Sequence, residues 1–385
     1  MGALRHNTHS DGKRILEDIR KRSRALFSHI PDDRLPDAIL VFNNKLIDNN
    51  FFYLTGLSGG VFDNCGVVVE KEGKIILYTT ALEEEAARAL ENNAEILVYH
   101  DEKEKDSILA STLSKYSKLG INYGSVSHTF YLFILEIGGG AETVDVGTAF
   151  RSTRMIKTEG EIKKIEKGCR IISEVAERIP SVLAEGMKEL DLSAEIDYMM
   201  KKKGAHGPAF RTIASFSKNT SMPHYHGGCI RLKNGDVVLA DFGAYFEGYA
   251  SDITRTYLTG NPEKELRDLY GTVLSAQKLA LDMINEGELS GRVDREVRAY
   301  IDSNDLYKGC FIHSLGHSLG LDVHDDGYPS ESFHNRFVEN MVLTVEPGIY
   351  LPGRYGVRIE DDILVEKQGC RVLTFANKEP LTYEI

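Results

Sequence analysis

Two pairs of carboxylates flank turns in this chain. In DFGAYFEGYASD (241–252), the apolar run Val237–Asp241 enters the segment, and Ser251–Tyr257 leaves it with strand-like alternation. With a turn near Phe246-Glu247-Gly248, Asp241 and Asp252 are expected opposite one another on adjacent antiparallel strands, where both side chains can point to one face. Carboxylates so placed repel unless a cation or a proton intervenes. The competing reading is a hairpin with two separately solvated aspartates. The second pair, Glu346 and Glu360, flanks the turn signal Pro352-Gly353-Arg354. The apolar runs Val342–Val345 and Ile363–Val365 put both glutamates beside core, where an unpaired carboxylate is costly. Salt bridges, with Arg358 the obvious partner, are the alternative there.

Between the pairs lies a histidine-rich stretch with His313, His317 and His324. His313 and His317 would share a helix face, as in the zinc motif H-E-x-x-H. No glutamate follows His313, however, and Gly316 and Gly320 weaken a helix, so a glycine-rich loop or strand is expected. A further histidine, His224, follows Pro223; alone it reads as an ordinary loop residue. Asp241, Asp252, His317, Glu346 and Glu360 together offer four carboxylates and one imidazole. That donor set suits a pair of divalent ions such as manganese, cobalt or zinc. Two metals about 3.5–4 Å apart can share a hydroxide that is nucleophilic near neutral pH. The chemistry is hydrolysis.

The elements around these residues fall into two regions. Ala38–Phe42 is strand-like, Gly66–Glu70 and Lys74–Thr79 read as a hairpin, Ala81–Asn92 favours helix, and Ile96–Tyr99 is again a strand. This is an α/β pattern. The texture changes at Phe150–Met155, giving domains at 1–150 and 151–385. Thr158–Glu161 has the capping-box form and leads into an amphipathic helix through Ile162, Ile165, Cys169, Ile172 and Val175. Further helices are expected over Leu192–Lys203, from Pro262 onward, and through Val293, Val297 and Ile301.

Composition narrows the function. The 385 residues carry 46 basic and 58 acidic side chains, a net charge of −12, with 42% hydrophobic residues. That is a globular balance, and the acidity argues against nonspecific nucleic-acid binding. No apolar run approaches the ~20 residues of a membrane span. The polar start Met1–Lys13 lacks a secretory core. Five scattered cysteines without a C-x-x-C pair point to a reducing cytoplasm and to burial as small hydrophobes.

At the chemical residues the sequence resembles the pita-bread metallopeptidases, in the Xaa-Pro dipeptidase (prolidase) and aminopeptidase P branch. The matching stretches are TIASFSKNTSMPHY (212–225), GDVVLADFGAYFEGYASDITRTY (235–257), FIHSLGHSLGLDVHD (311–325), NMVLTVEPGIY (340–350) and GVRIEDDI (356–363). Arg154–Ile172 also resembles the start of the family's catalytic domain, and the first 150 residues are similar to its creatinase-type N-terminal domain. The resemblance implies an α/β N-terminal domain followed by an α+β pita-bread (creatinase/aminopeptidase-like) domain with an internal pseudo-twofold. It implies two divalent ions per chain, bridged by Asp252 and Glu360. Asp241 would complete one shell, and His317 and Glu346 the other, with Glu346 also deprotonating the attacking water. His224, His313 and His324 match substrate-binding and intermediate-stabilising histidines, and Tyr350 and Arg358 match supporting positions. Ser217 and Asn340 depart from the family, which often has glycine at each.

The activity so implied is hydrolysis of the bond before proline, most simply of Xaa-Pro dipeptides by a cytoplasmic homodimer, with aminopeptidase P activity as the alternative. A dipeptidase must recognise a free C-terminal carboxylate, a task expected of loops from the N-terminal domain or a partner subunit. Creatinase works without metal, and the five ligand positions present here argue against it. Methionine aminopeptidases lack the N-terminal domain. Non-catalytic binding proteins on this fold generally lose ligands, and this chain has lost none.

Overall fold

The computed structural model describes residues 19–385 apart from 45, 58–59, 89–93 and 326–334. The stretch Met1–Lys13 and the end of the helix expected over Ala81–Asn92 lie outside these residues. The chain divides into two compact units, 1–154 and 155–385.

The first unit is built on a six-stranded sheet. Its strands are β1 (Ala38–Phe42), β2 (Gly66–Glu70), β3 (Ile75–Thr80), β4 (Glu95–Tyr99), β5 (Lys118–Ile121) and β6 (Glu142–Asp145), in the order β4-β3-β2-β1-β5-β6. The pairs β1–β2 and β2–β3 are antiparallel, and the other neighbours are parallel. Parallel neighbours need crossover segments: a short helix, Glu84–Arg88, lies between β3 and β4, and two longer helices follow, α1 (Glu102–Leu113) leading from β4 to β5 and α2 (His128–Ile137) joining β5 to β6. Asp101 and Ser127 cap them by accepting from the amides of Glu104 and Phe130. Leu109, Leu113, Phe130 and Ile134 pack with Leu40, Val68, Ile76 and Ile121 of the sheet. The helix expected from Ala81 begins only at Glu84, because Ala81–Glu83 form a turn in which Glu83 N donates to Thr80 O.

In the second unit a helix–helix–hairpin order occurs twice, in keeping with the expected internal repeat. The first pass runs from α3 (Glu159–Arg178) and α4 (Glu189–Lys202) through β7 (Ile213–Phe216) to the hairpin of β8 (Val237–Phe242) and β9 (Ile253–Thr259). The second runs from α5 (Lys264–Met283) and α6 (Ser290–Asp302) to β10 (Val342–Val345), β11 (Gly348–Leu351), β12 (Tyr355–Arg358) and β13 (Asp361–Val365). The capping box opens α3: the Glu161 amide donates to Thr158 Oγ1, and Thr158 N donates to Glu161 Oε2. Helix α4 starts ahead of Leu192 because Asp191 accepts from Lys188 N at 3.0 Å. Helix α5 starts after Pro262, since Glu263 is still extended at its N-cap.

Each pass has its own core. Ile172 and Val175 of α3, with Leu192 and Ile196 of α4, pack on Phe216, Val238 and Phe242. Leu269 and Val273 of α5, with Val297 of α6, pack on Leu343 and Ile363. Each such side chain contributes about 1.5–3 kcal/mol by burial. The cysteines do not share one fate: Cys65 and Cys169 are buried, Cys310 and Cys370 half-buried and Cys229 exposed, which corrects the expectation of uniform burial. Cys229 follows the loop glycines Gly227-Gly228, outside either core.

The two hairpins meet side by side. Glu360 N donates to Thr254 O (3.1 Å), and Thr256 Oγ1 donates to Arg358 O (2.9 Å). Buried Arg255 donates from Nη1 to Thr254 O and Glu360 O (2.9 and 2.5 Å) and from Nη2 to Asp361 Oδ1 and Ala376 O (2.7 and 2.8 Å). Asp361 is fully buried, and it accepts further bonds from Thr374 Oγ1 (2.7 Å), Gln277 Nε2 (3.0 Å) and Lys378 Nζ. Burial opposes its ionisation, but Arg255 and Lys378 overcome that and hold its pKa below the usual carboxylate range.

Asp361→Ala strands Arg255 in the interior and should cost on the order of 3–5 kcal/mol; an unchanged denaturant midpoint would refute it. Ser217 and Asn340 both hold positive φ, 53° and 70°, so the backbone keeps the left-handed form that glycine favours. Ser217→Gly should therefore stabilise by about 0.5–1 kcal/mol. Asn340→Gly should be near neutral, because asparagine tolerates that conformation; calorimetry on the two variants separates them.

Candidate metal centre

The first hairpin turns at Glu247-Gly248, both with positive φ, between the paired residues Phe246 and Tyr249. The pairing Asp241↔Thr254 then sets the register. Asp241 and Asp252 are therefore diagonal rather than directly opposite, which corrects the expected geometry, but they remain on one face. Asp252 lies across from Gly243, where a Cβ would come within 2.0 Å of Ser251 O. The second hairpin pairs Val345 with Asp361 and Gly348 with Arg358, which places Glu346 across from Glu360 as read from the turn.

His317 comes from a loop, as expected, and that loop is pinned to β10. His317 N donates to Thr344 Oγ1 (2.9 Å), Thr344 N to His317 O (2.8 Å), and Glu346 N to Leu315 O (2.8 Å). The approach is so close that a Cβ on Gly316 would sit 2.0 Å from Thr344 O.

Ligating atoms of Asp252, His317 and Glu360 all lie within 4.8 Å of one another, and the three residues are buried. His317 Nε2 is 3.6 Å from Asp252 Oδ2 and 3.6 Å from Glu346 Oε1. Its Nδ1 lies 3.3 Å from Ser318 O. A carbonyl can only accept, so the proton sits on Nδ1. Burial, and next the adjacent His324, bring the His317 pKa down to about 3. The ring is thus neutral and turns its Nε2 lone pair toward the acids. Thr254 Oγ1 donates to Glu360 Oε2 at 2.6 Å. Asp241 sits apart from the three-residue cluster: its Oδ2 accepts from Arg358 Nη2, while its Oδ1 is buried without a hydrogen-bond partner. Asp252 Oδ1 is likewise buried without one.

Electrostatics make these acids difficult to ionise on their own. Burial, then Glu360 and Asp241, raise Asp252 well above the carboxylate range. Burial and Glu346 do the same to Glu360. Burial lifts Glu346 to about 8 against the pull of Arg358. Crowded buried carboxylates, unpartnered oxygens and a neutral imidazole lone pair make a donor set that a divalent cation fits, because its charge removes the repulsion. Behind Asp252, Asp362 Oδ2 accepts from Asp252 N (2.8 Å) and from Cys169 Sγ (3.2 Å).

The remaining expected residues border the same cavity of about 440 Å³. His224, His313, His324 and Arg358 line it. Tyr350 stands behind them: its hydroxyl accepts from Arg358 Nη1 (2.7 Å) and lies 2.8 Å from His313 Nε2. His313 Nδ1 is 2.8 Å from Ser314 O and therefore donates, which makes Nε2 the acceptor of the tyrosine proton. Both nitrogens of His313 are thus engaged within the protein. Phe210, Arg211 and His226 also line the cavity, and the sequence assigns them no role. Phe210 and Arg211 precede an apolar strand with no motif of their own, whereas the His-Tyr-His spacing offered a signal for His226.

Comparison with known proteins identifies the family. Residues 163–367 match metallopeptidase family M24, and residues 31–156 match the creatinase/prolidase N-terminal domain. The chain is 34% identical over 360 residues to a Xaa-Pro dipeptidase of Pyrococcus furiosus, covering 91% of this chain and 99% of that protein. It superposes on the prolidase of Pyrococcus horikoshii OT3 with a TM-score of 0.85 at 32% identity, covering 94% of this chain and 100% of the other. The X-Pro aminopeptidase of Thermotoga maritima MSB8 gives the same TM-score, 0.85, at 30% identity and with the same coverage, 94% and 100%. A hairpin-borne acid cluster with a single histidine, within a match that spans both units, means that this chain belongs to metallopeptidase family M24 and carries the pita-bread fold of its prolidase and aminopeptidase P branch.

Proposed function

We propose that this protein is a dinuclear metal-dependent Xaa-Pro dipeptidase, with catalysis in residues 151–385 and the creatinase-type domain in 1–150. The observation that carries the reading is the convergence of Asp252, His317 and Glu360 within 4.8 Å. Asp252 and Glu360 would hold both ions, Asp241 one of them, and His317 and Glu346 the other. Manganese or cobalt suits this oxygen-rich set, and zinc is compatible with it. The similarity to proteins named Xaa-Pro dipeptidase and prolidase supports the substrate class. A homodimer and a cytoplasmic location belong to the same reading. Among the described residues no helix is long and apolar enough to cross a membrane.

When bound, the ions supply Lewis acidity toward the scissile carbonyl and lower the pKa of the attacking water. The protein's own groups do the rest. Glu346, oriented by Thr344 Oγ1 at 3.5 Å, takes a proton from that water and returns it to the departing proline nitrogen. His224 and His324, both exposed at the cavity, are placed to bind substrate and donate to the developing oxyanion. The ring nitrogens of His313, by comparison, serve Ser314 O and Tyr350, and through Tyr350 they reach Arg358. In this reading His313 acts on substrate by fixing the cavity wall. Tyr350 and Arg358 keep Asp241 oriented.

Removal of metal by a chelator should abolish cleavage of Xaa-Pro dipeptides, and manganese, cobalt or zinc should restore it. Absence of metal-dependent cleavage would sink the enzyme reading. Cleavage of Xaa-Pro-Yaa tripeptides alone would move it to aminopeptidase P. Asp252→Asn should bind fewer than two ions per chain and lose at least about 100-fold in kcat, the upper range for losing even an outer-sphere partner. Full occupancy of two ions in that variant, measured by elemental analysis, would refute the bridging role.

A further inference from the structure

Arg211 stands on a short segment held at both ends. Ala209 N donates to Gly243 O at 2.8 Å, and Thr212 Oγ1 donates to Asp197 Oδ1 at 2.5 Å. Beyond Thr212, Ile213 begins β7, which pairs with β8 from Ile213↔Asp241 onward. The same strand thus ties the segment to a residue of the acid cluster. Phe210, Arg211 and Ile213 all line the cavity.

The charge of Arg211 is uncommitted. The residue is exposed, and among the described residues its guanidinium makes no hydrogen bond or ion pair. The other arginine of the cavity, Arg358, is engaged by Asp241, Thr254 and Tyr350. Both ring nitrogens of His313 are taken up by Ser314 O and the Tyr350 hydroxyl. An arginine with no partner among the described residues therefore lines the same cavity as Asp241, Asp252, Glu346 and Glu360. The volume, about 440 Å³, falls within the ~300–1,000 Å³ of small-ligand sites, which suits a short peptide. A dipeptide is a zwitterion: its ammonium is complementary to acids, but its carboxylate needs a cation, and a planar guanidinium can hold one through two parallel bonds. A longer peptide has a neutral amide at that point.

We propose that Arg211 is a specificity-determining residue that binds the free C-terminal carboxylate of the substrate dipeptide; this rests on the dipeptidase reading above. Because the contact is made equally in ground state and transition state, its loss should raise KM and spare kcat. The test compares Ala-Pro with Ala-Pro amide on the metal-loaded wild type and on Arg211→Gln and Arg211→Lys. In Arg211→Gln, KM for Ala-Pro should rise on the order of 10-fold, the size of one charge-assisted contact. Its kcat should stay within about 2-fold, and hydrolysis of the amide should be unchanged. Arg211→Lys should fall between the two. Equal effects on acid and amide, or no effect on either, would overturn the role of Arg211 while leaving the dipeptidase reading intact. A wild type that cleaves neither peptide would overturn both. Metal content and melting temperature equal to wild type show that the variants are folded and loaded.

Discussion

Four carboxylates that repel one another must be held within one cavity, and the rest of the catalytic unit is organised around that constraint. None of the four is carried on a flexible excursion. Asp241 and Asp252 belong to one hairpin, Glu346 and Glu360 to the other. The hairpins are joined where Arg255 reaches the backbone of Thr254 and Glu360 and the side chain of Asp361. A guanidinium suits this task, since its five donors are fixed in a plane and stay charged when buried. The two helical cores then act as backing for the hairpins, and the loop with His317 is drawn in by bonds to β10. Repulsion at the centre is resisted by covalent and hydrogen-bonded frames on every side. A bound cation replaces that resistance with attraction.

Much of this was legible in the sequence because both hairpins announce themselves locally. An apolar run, an acid, a turn and another acid give strand, ligand and reversal in order. The second hairpin could be read to the residue, since Pro352-Gly353-Arg354 is a three-residue turn and fixes which positions face each other. The first could not. A two-residue turn at Phe246-Glu247 would pair Asp241 with Asp252, whereas the turn at Glu247-Gly248 pairs Asp241 with Thr254. Register of this kind depends on which residues form the turn, which composition does not fix.

What stayed hidden in the sequence was long-range. Arg255 follows Thr254 in an ordinary strand, and nothing nearby shows that it will meet Asp361 and Ala376. Arg211 has no hydrogen-bond or ion-pair partner among the described residues and no motif before folding. Helix starts were displaced for local reasons, such as the extended Glu263 after Pro262. The two departures from the family's glycines show the reverse case. Ser217 and Asn340 alter the residue but retain the left-handed backbone, so the loop shapes on either side of the site are preserved at a small energetic cost.

The line from Arg358 through Tyr350 and His313 to Ser314 O has every hydrogen assigned. The guanidinium can only donate, and the terminal carbonyl can only accept. Each hydroxyl or imidazole between them therefore points the same way, and none can reverse without breaking the bonds on both sides. Such a chain does not conduct protons. It works as a girder with a fixed sense, passing orientation from a backbone carbonyl near the histidine loop to the carboxylate of Asp241 on the opposite hairpin. Along this line the cavity wall is fixed by directed bonds, where its backing is fixed by packing.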